Sequence, residues 1–214
     1  MQKLQYLVGN LLAGFMDFGV GCLISVILAN VLHYPISWWV PIVAGAIFNV
    51  LPDYDIVPFI LRRGITGVPF NFDHHQTWLH WPIVVLPVVT AAMWLLFGTY
   101  WGLLALSCVL AHYIHDAVFM KNGFAWIVRL RRTYPLGTYD RQTDAPDEWI
   151  ANNWLQLSPL SAWELSLGTL AVCATVYITT QHLELSALAL GTVAFGVGLF
   201  WLQTAHQLLV ELRK

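Results

Sequence analysis

Six long apolar runs, separated by short polar interruptions, constrain this chain more than any other feature. They fall at roughly Leu7–Leu32, Ile36–Leu51, His80–Phe97, Tyr100–Phe119, Ala162–Thr180 and Leu185–Leu209. A helix needs about 20 apolar residues to cross a hydrocarbon core of about 30 Å, so runs two to four are short and their ends belong at the interface. A soluble domain would carry charge on about a quarter of its residues. Here only 10% of 214 residues are charged and 58% are hydrophobic, with a mean hydropathy of +0.63. The sequence predicts an all-α integral membrane protein of about six transmembrane helices, forming a single membrane domain over residues 1–214. The first run is too long for a cleavable signal peptide and lacks a small-x-small cleavage site.

Six spans make the connections alternate between two sides, and the cations test that alternation. Lys3, Arg62, Arg63, Lys121, Arg129, Arg131, Arg132, Arg141, Arg213 and Lys214 all fall on the side of the N-terminus. The short connections near His33–Pro35, Gly98–Thr99 and Gln181–Glu184 carry none. The positive-inside rule then sets both termini in the cytoplasm, N-in/C-in. The location expected is a bacterial-type inner membrane, multi-pass, with lipid as the surrounding partner. A net charge of -2 offers no basic face for nucleic acid. Cys22, Cys108 and Cys173 each lie in an apolar run without a C-x-x-C partner, so they read as free, buried residues.

Between runs four and five, Gly123–Arg132 mixes Phe124, Trp126, Ile127 and Leu130 with three arginines. This predicts a cytoplasmic interfacial helix in the 120–160 region, with a basic extension of run four as the alternative. Thr138–Asn153 is polar and acidic and reads as a cytoplasmic loop. Gly14, Gly19 and Gly21 in the first run, with Gly191, Gly196 and Gly198 in the last, are expected to permit close helix packing.

The same alternation gathers the chemistry. Run two ends in Leu51-Pro52-Asp53-Tyr54-Asp55, run three begins after His74-His75-Gln76-Thr77-Trp78-Leu79-His80, and run four ends in His112-Tyr113-Ile114-His115-Asp116. All three stretches reach the cytoplasmic interface at one depth. His112 and Asp116, four apart, share a helix face. Imidazole and carboxylate so spaced suit Zn, Mn or Fe. Pro52 restricts Leu51 to an extended or turn conformation, so a short non-helical turn is expected to aim Asp53 and Asp55 at one point. His75 in the loop and His80 on the first turn of run three complete a ligand set of Asp53, Asp55, His75, His80, His112 and Asp116, for one or two divalent ions. His74 reads as an outer or exposed residue. Charge this near hydrocarbon costs of order 2–3 kcal/mol per group, which makes function the default reading. Asp17 lies deeper, where it either reaches the site or pairs within the bundle; the second is preferred.

In order along the chain, Pro-Asp-x-Asp, His-x4-His and His-x3-Asp resemble the motifs of the YdjM-like family of membrane-bound metal-dependent hydrolases. They are carried here by Asp53 and Asp55, by His75 and His80, and by His112 and Asp116, and Gly123 is similar to the glycine after the family's last motif. The likeness covers about residues 45–126; the helices of about 162–209 add nothing specific to it. Where the family commonly reads HRGxTHS, this chain reads His75-Gln76-Thr77-Trp78-Leu79-His80-Trp81. The family often carries an N-terminal histidine, whose place Asn10 can take here.

The function expected is metal-dependent hydrolysis at the cytoplasmic membrane face, on a lipid or lipid-linked ester or phosphoester. Water activated by the ion would attack; His115 and Asp55 are the candidate catalytic residues, His115 to move a proton or orient a ligand. Arg62 and Arg63 can hold a phosphate or snorkel to the surface. The alternatives are a non-hydrolytic membrane metal- or haem-binding protein, with axial imidazoles from runs three and four, and a small transporter using Asp17.

Overall fold

The computed structural model describes residues 2–63, 78–119 and 159–181, with positions 194 and 198. His74, His75, the expected interfacial helix and nearly all of the sixth apolar run lie outside the described residues, as does the side chain of Asn10. Among the described residues every regular element is helical.

Helix α1 covers Gln2–Val31. Helix α2 runs over Trp39–Val43 and continues as a π-helix, Ala44–Asn49. A 3-10 turn, Leu51–Ile56, leads into the short α3, Val57–Arg63. A second 3-10 turn, Trp78–His80, precedes α4, Pro82–Phe97. Helices α5, Thr99–Phe119, and α6, Pro159–Thr180, complete the described chain. Within α1, Leu12–Val31 is 20 residues long with a mean hydropathy of 2.0, which is long and apolar enough to cross a membrane. Among the described residues, Trp39–Asn49, Pro82–Phe97 and Glu164–Thr180 are apolar but shorter.

Local chemistry sets the boundaries. Pro82 opens α4, where its missing N–H would have had no helical acceptor. Gly98, at φ 90°, closes α4 in a conformation that side chains avoid, and α5 begins at the next residue. The two helices therefore form a tight antiparallel pair.

Helix α1 is the axis of the fold, lying along α6 on one side and against α2 and α5 on the other. Small residues allow this approach. A Cβ at Gly19 would fall 2.4 Å from the Gly168 carbonyl oxygen on α6, and one at Gly21 would fall 2.7 Å from the Gly45 Cα on α2. Gly14 does not share this role: nothing among the described residues stands within 4 Å of a Cβ there. Ala29, Val40, Ala44, Phe48, Tyr100, Leu104, Ala105 and Cys108 form the main core, and Val85, Val109 and Tyr113 a second one between α4 and α5. The Tyr100 hydroxyl donates to the Ser25 carbonyl at 3.0 Å, tying the start of α5 to α1. All three cysteines are free and buried.

The two ends of this bundle differ. At one end Tyr34 stacks on Tyr100 at 4.3 Å and Trp39 on Trp101 at 6.0 Å, with Phe97 also against Trp101. Tyr34, Trp38, Trp39, Trp94 and Phe97 are exposed there. The other end gathers the carboxylates and imidazoles.

Candidate metal centre

Four donor atoms from three stretches of chain converge at the polar end. His80 Nε2 lies 3.6 Å from Asp53 Oδ1 and 3.7 Å from Asp116 Oδ2. His112 Nε2 lies 3.6 Å from the same Asp53 oxygen and 3.3 Å from the same Asp116 oxygen. The four contacts close a ring in which carboxylate and imidazole alternate. Asp53, His80 and His112 form a group whose ligand atoms lie within 4.8 Å of one another and that could hold a metal ion.

These separations carry a chemical message. N–H···O hydrogen bonds cluster at about 2.7–3.2 Å. Two ligands held 2.0–2.2 Å from one ion at the tetrahedral angle stand about 3.3–3.6 Å apart. Asp53, His80 and His112 are spaced as groups that could face a shared ion. His112 sharpens the point: it is 1% exposed, and neither ring nitrogen completes a hydrogen bond among the described residues. Burying an imidazole so costs free energy unless something engages its lone pair.

Local structure explains how each donor arrives. Asp53 and Asp55 sit on the 3-10 turn rather than on the non-helical turn expected from Pro52. The backbone break falls at Val50, φ -93° and ψ 0°, and Pro52 occupies the first turn of the helix. With three residues per turn, positions two apart point about 120° away from each other. The two carboxylates accordingly do not aim at one point. Asp53 faces His80 Nε2, whereas Asp55 Oδ2 lies 3.7 Å from His80 Nδ1. Asp55 thus braces the far side of the ring, the place of an outer carboxylate that orients a ligating histidine. His80 ends its own 3-10 turn and is 4% exposed. The Tyr113 hydroxyl donates to the neighbouring Leu79 carbonyl at 2.7 Å, fastening that turn to α5. His112 and Asp116 share one face of α5, as their spacing requires. Asp53 is the most open donor, its side chain 31% exposed against 9% or less for the other three. Beside it, burial and the Asp53 charge push the Tyr54 phenol above its ordinary value. Tyr54 therefore remains a donor and gives its hydrogen to the Ala46 carbonyl.

Asp17 reaches into the site. Its Oδ2 lies 3.1 Å from His112 Nδ1, off the line of a hydrogen bond, while Oδ1 and Oδ2 lie 3.0 Å and 3.1 Å from His115 Nδ1. Asn49, fully buried at the end of the π-helix, donates from Nδ2 to the Asp17 carbonyl at 2.7 Å and to Asp17 Oδ1 at 3.2 Å. The preferred expectation for Asp17, pairing within the bundle apart from the site, does not hold: Asp17 on α1 faces the imidazoles that α5 brings to the site. His115, a candidate catalytic residue from sequence, is not among the four converging donors. Its Nδ1 faces Asp17, and its Nε2 faces Glu164 Oε1 on α6 at 3.5 Å. The reason is helical: one residue before Asp116, His115 turns toward α1 and α6 instead of toward His80.

Glu164 and Asn49 are the residues that sequence reasoning passed over. Glu164 is the sole acid of its apolar run, close to its start, and is 0% exposed; a carboxylate so buried signals a partner. In all, five carboxylates meet three imidazoles.

Haem does not suit this arrangement. Axial imidazoles need the slab between them for the porphyrin, and here Asp53 and Asp116 stand within 3.7 Å of both rings' Nε2 atoms. Compared with known proteins, the chain matches no family model, no curated protein and no solved structure.

Proposed function

We propose that the protein is a membrane-embedded, metal-dependent hydrolase of the YdjM-like kind, with its site at the cytoplasmic interface and a lipid or lipid-linked ester or phosphoester as substrate. The observation that carries the reading is the ring of four separations, 3.3–3.7 Å, among Asp53, His80, His112 and Asp116. These four residues would hold a divalent ion, whose Lewis acidity would activate water near neutral pH. The chain's own residues do the rest. His80 and His112 offer Nε2, while Asp55 and Asp17 stand beside the two Nδ1 atoms, where their charge favours a proton on that nitrogen. Asp53, being the most open donor, marks the side from which substrate enters. The mixed N/O donor set suits Zn, Mn or Fe.

Membrane placement is supported by the apolar length of α1, by the segregation of all ten cations to one side, and by the exposed aromatics at the end remote from the site. Depth favours a lipid. From Thr99 to Asp116, at about 1.5 Å per residue, is roughly 25 Å along α5. With the aromatic end at one interface of a hydrocarbon core of about 30 Å, the donors lie just inside the opposite one. The linkages between acyl chain and headgroup lie at that level.

The test is to purify the protein in detergent, measure bound metal by elemental analysis, and assay lipid esters and phosphoesters with wild type and Asp116→Asn. Stoichiometric metal, and turnover lost in the variant, are expected. A wild-type protein that takes up no divalent ion would refute the reading, as would activity indifferent to Asp53, His80 and His112.

A further inference from the structure

Behind the four donors a second line of buried groups runs away from the opening: His112, Asp17, His115, Glu164. Its links are 3.1 Å, 3.0 Å and 3.5 Å, and it ends on α6 at a carboxylate with no solvent exposure. Asp17 is the hub. One carboxylate serves two rings, and Asn49 holds it from α2. The direction of His115 therefore decides how much of Asp17 is available to His112, and Glu164 is the group that faces His115 from the other side. The backbone around Glu164 is held as well, because Gly168, one turn along, meets α1 so closely that a Cβ there would fall 2.8 Å from Met16 Cα. Glu164 is thus presented to His115 by a rigid contact, next to Asp17 on the facing helix.

We infer that Glu164 is a positioning residue for the metal centre, acting through His115 and Asp17 to hold His112 with Nε2 toward the ion. It touches no donor and is not itself a ligand: the nearest donor on its own line, His112, is two groups away. The inference rests on the metal-site reading proposed above, and the experiment separates the two.

The probe is Co(II), added to metal-stripped full-length protein in detergent. Its visible absorption reports ligand geometry, and its affinity is measured by competition with a chelator. Wild type, Glu164→Leu, Glu164→Gln and the control Thr175→Val are compared. Thr175 is buried on the same helix and, among the described residues, bonds within that helix, its hydroxyl donating to the Ala171 carbonyl at 2.8 Å. Glu164→Leu should bind Co(II) about 10–100-fold more weakly, the usual loss when an outer-shell partner is removed, with an altered absorption band. Glu164→Gln, which keeps a hydrogen-bonding group at His115 Nε2, should recover most of the affinity and the wild-type band. Thr175→Val should match wild type. If Glu164→Leu does not fold, Glu164→Asp decides: drawn back by one methylene, it should weaken binding several-fold on the same scale. Unchanged affinity and spectrum in the Glu164 variants overturns the inference and leaves the metal site standing. An equal loss in Thr175→Val also overturns it, since the effect would then be helix packing. Wild type that binds no Co(II) overturns the metal reading and this inference together.

Discussion

Gly45→Ala is the most informative single change, because it perturbs the candidate metal centre from a position that touches none of its donors. A Cβ at Gly45 would fall 2.3 Å from the Phe18 carbonyl oxygen, 2.9 Å from Phe18 Cδ2 and 3.0 Å from Cys22 Sγ. Contacts under 3.0 Å are essentially unknown for real Cβ atoms, so α2 must retreat from α1 by about 0.7 Å or more. Asn49 lies four residues further along the same π-helix and moves with it. Its 3.2 Å bond to Asp17 Oδ1 then stretches to roughly 3.9 Å, which is no longer a hydrogen bond. Overpacking should cost about 1–3 kcal/mol of stability. The loosened Asp17 should weaken metal binding about 10-fold. Thermal unfolding in detergent, followed by circular dichroism, measures the first effect, and chelator competition the second. A double-mutant cycle links them: in an Asn49→Ala background the affinity loss from Gly45→Ala should largely disappear. The reasoning is refuted if Gly45→Ala leaves both the unfolding midpoint and the affinity where they were.

Other predictions address the donors and their surroundings. Asp53→Asn should reduce metal affinity by more than the outer-shell change Asp17→Asn, which should cost about 10–100-fold; equal losses in a chelator titration would contradict the division between donors and supports. Imidazole binds a metal only as the neutral ring, so affinity should fall as pH is lowered, by up to about 100-fold per pH unit once both histidines take up protons. A flat profile between pH 7 and 5 would argue against His80 and His112 together. For the topology, Ser37→Cys and Arg62→Cys in a background lacking the native cysteines should label oppositely: an impermeant maleimide should reach Cys at 37 in intact cells and Cys at 62 only after permeabilisation. Labelling of both from outside would overturn the proposed orientation.

Much of the site was legible because its cost is legible. Asp53, His80, His112 and Asp116 stand out in sequence as polar groups at the ends of apolar runs, and alternation of those runs brings their ends to one side before any coordinates are known. The 3-10 turn at Leu51–Ile56 was not legible, since Pro52 is compatible both with an extended predecessor and with the first turn of a helix. That ambiguity changes Asp55 from a ligand beside Asp53 into a brace behind His80. The π-helix at Ala44–Asn49 leaves no mark on the hydropathy pattern, yet it delivers Asn49 to Asp17. Glu164 was hidden by its resemblance to an ordinary acid near a helix start. Only the packing of α6 on α1 turns it into a buried neighbour of His115. What could be read, then, were the groups set by periodicity and depth; what could not were those set by a half-turn of backbone or by the choice of neighbouring helix.

The line from His112 to Glu164 also bears on the order in which the protein is made. All four donors precede α6 in the chain, so synthesis through α5 already supplies the atoms proposed to bind the cation. The brace arrives only with α6. Metal captured by the unfinished chain would be held loosely and could exchange, whereas docking of α6 through Gly19 and Gly168 would fix it. Helix α6 would then act as a latch on biosynthesis, committing the proposed centre to whichever cation it holds when that helix docks.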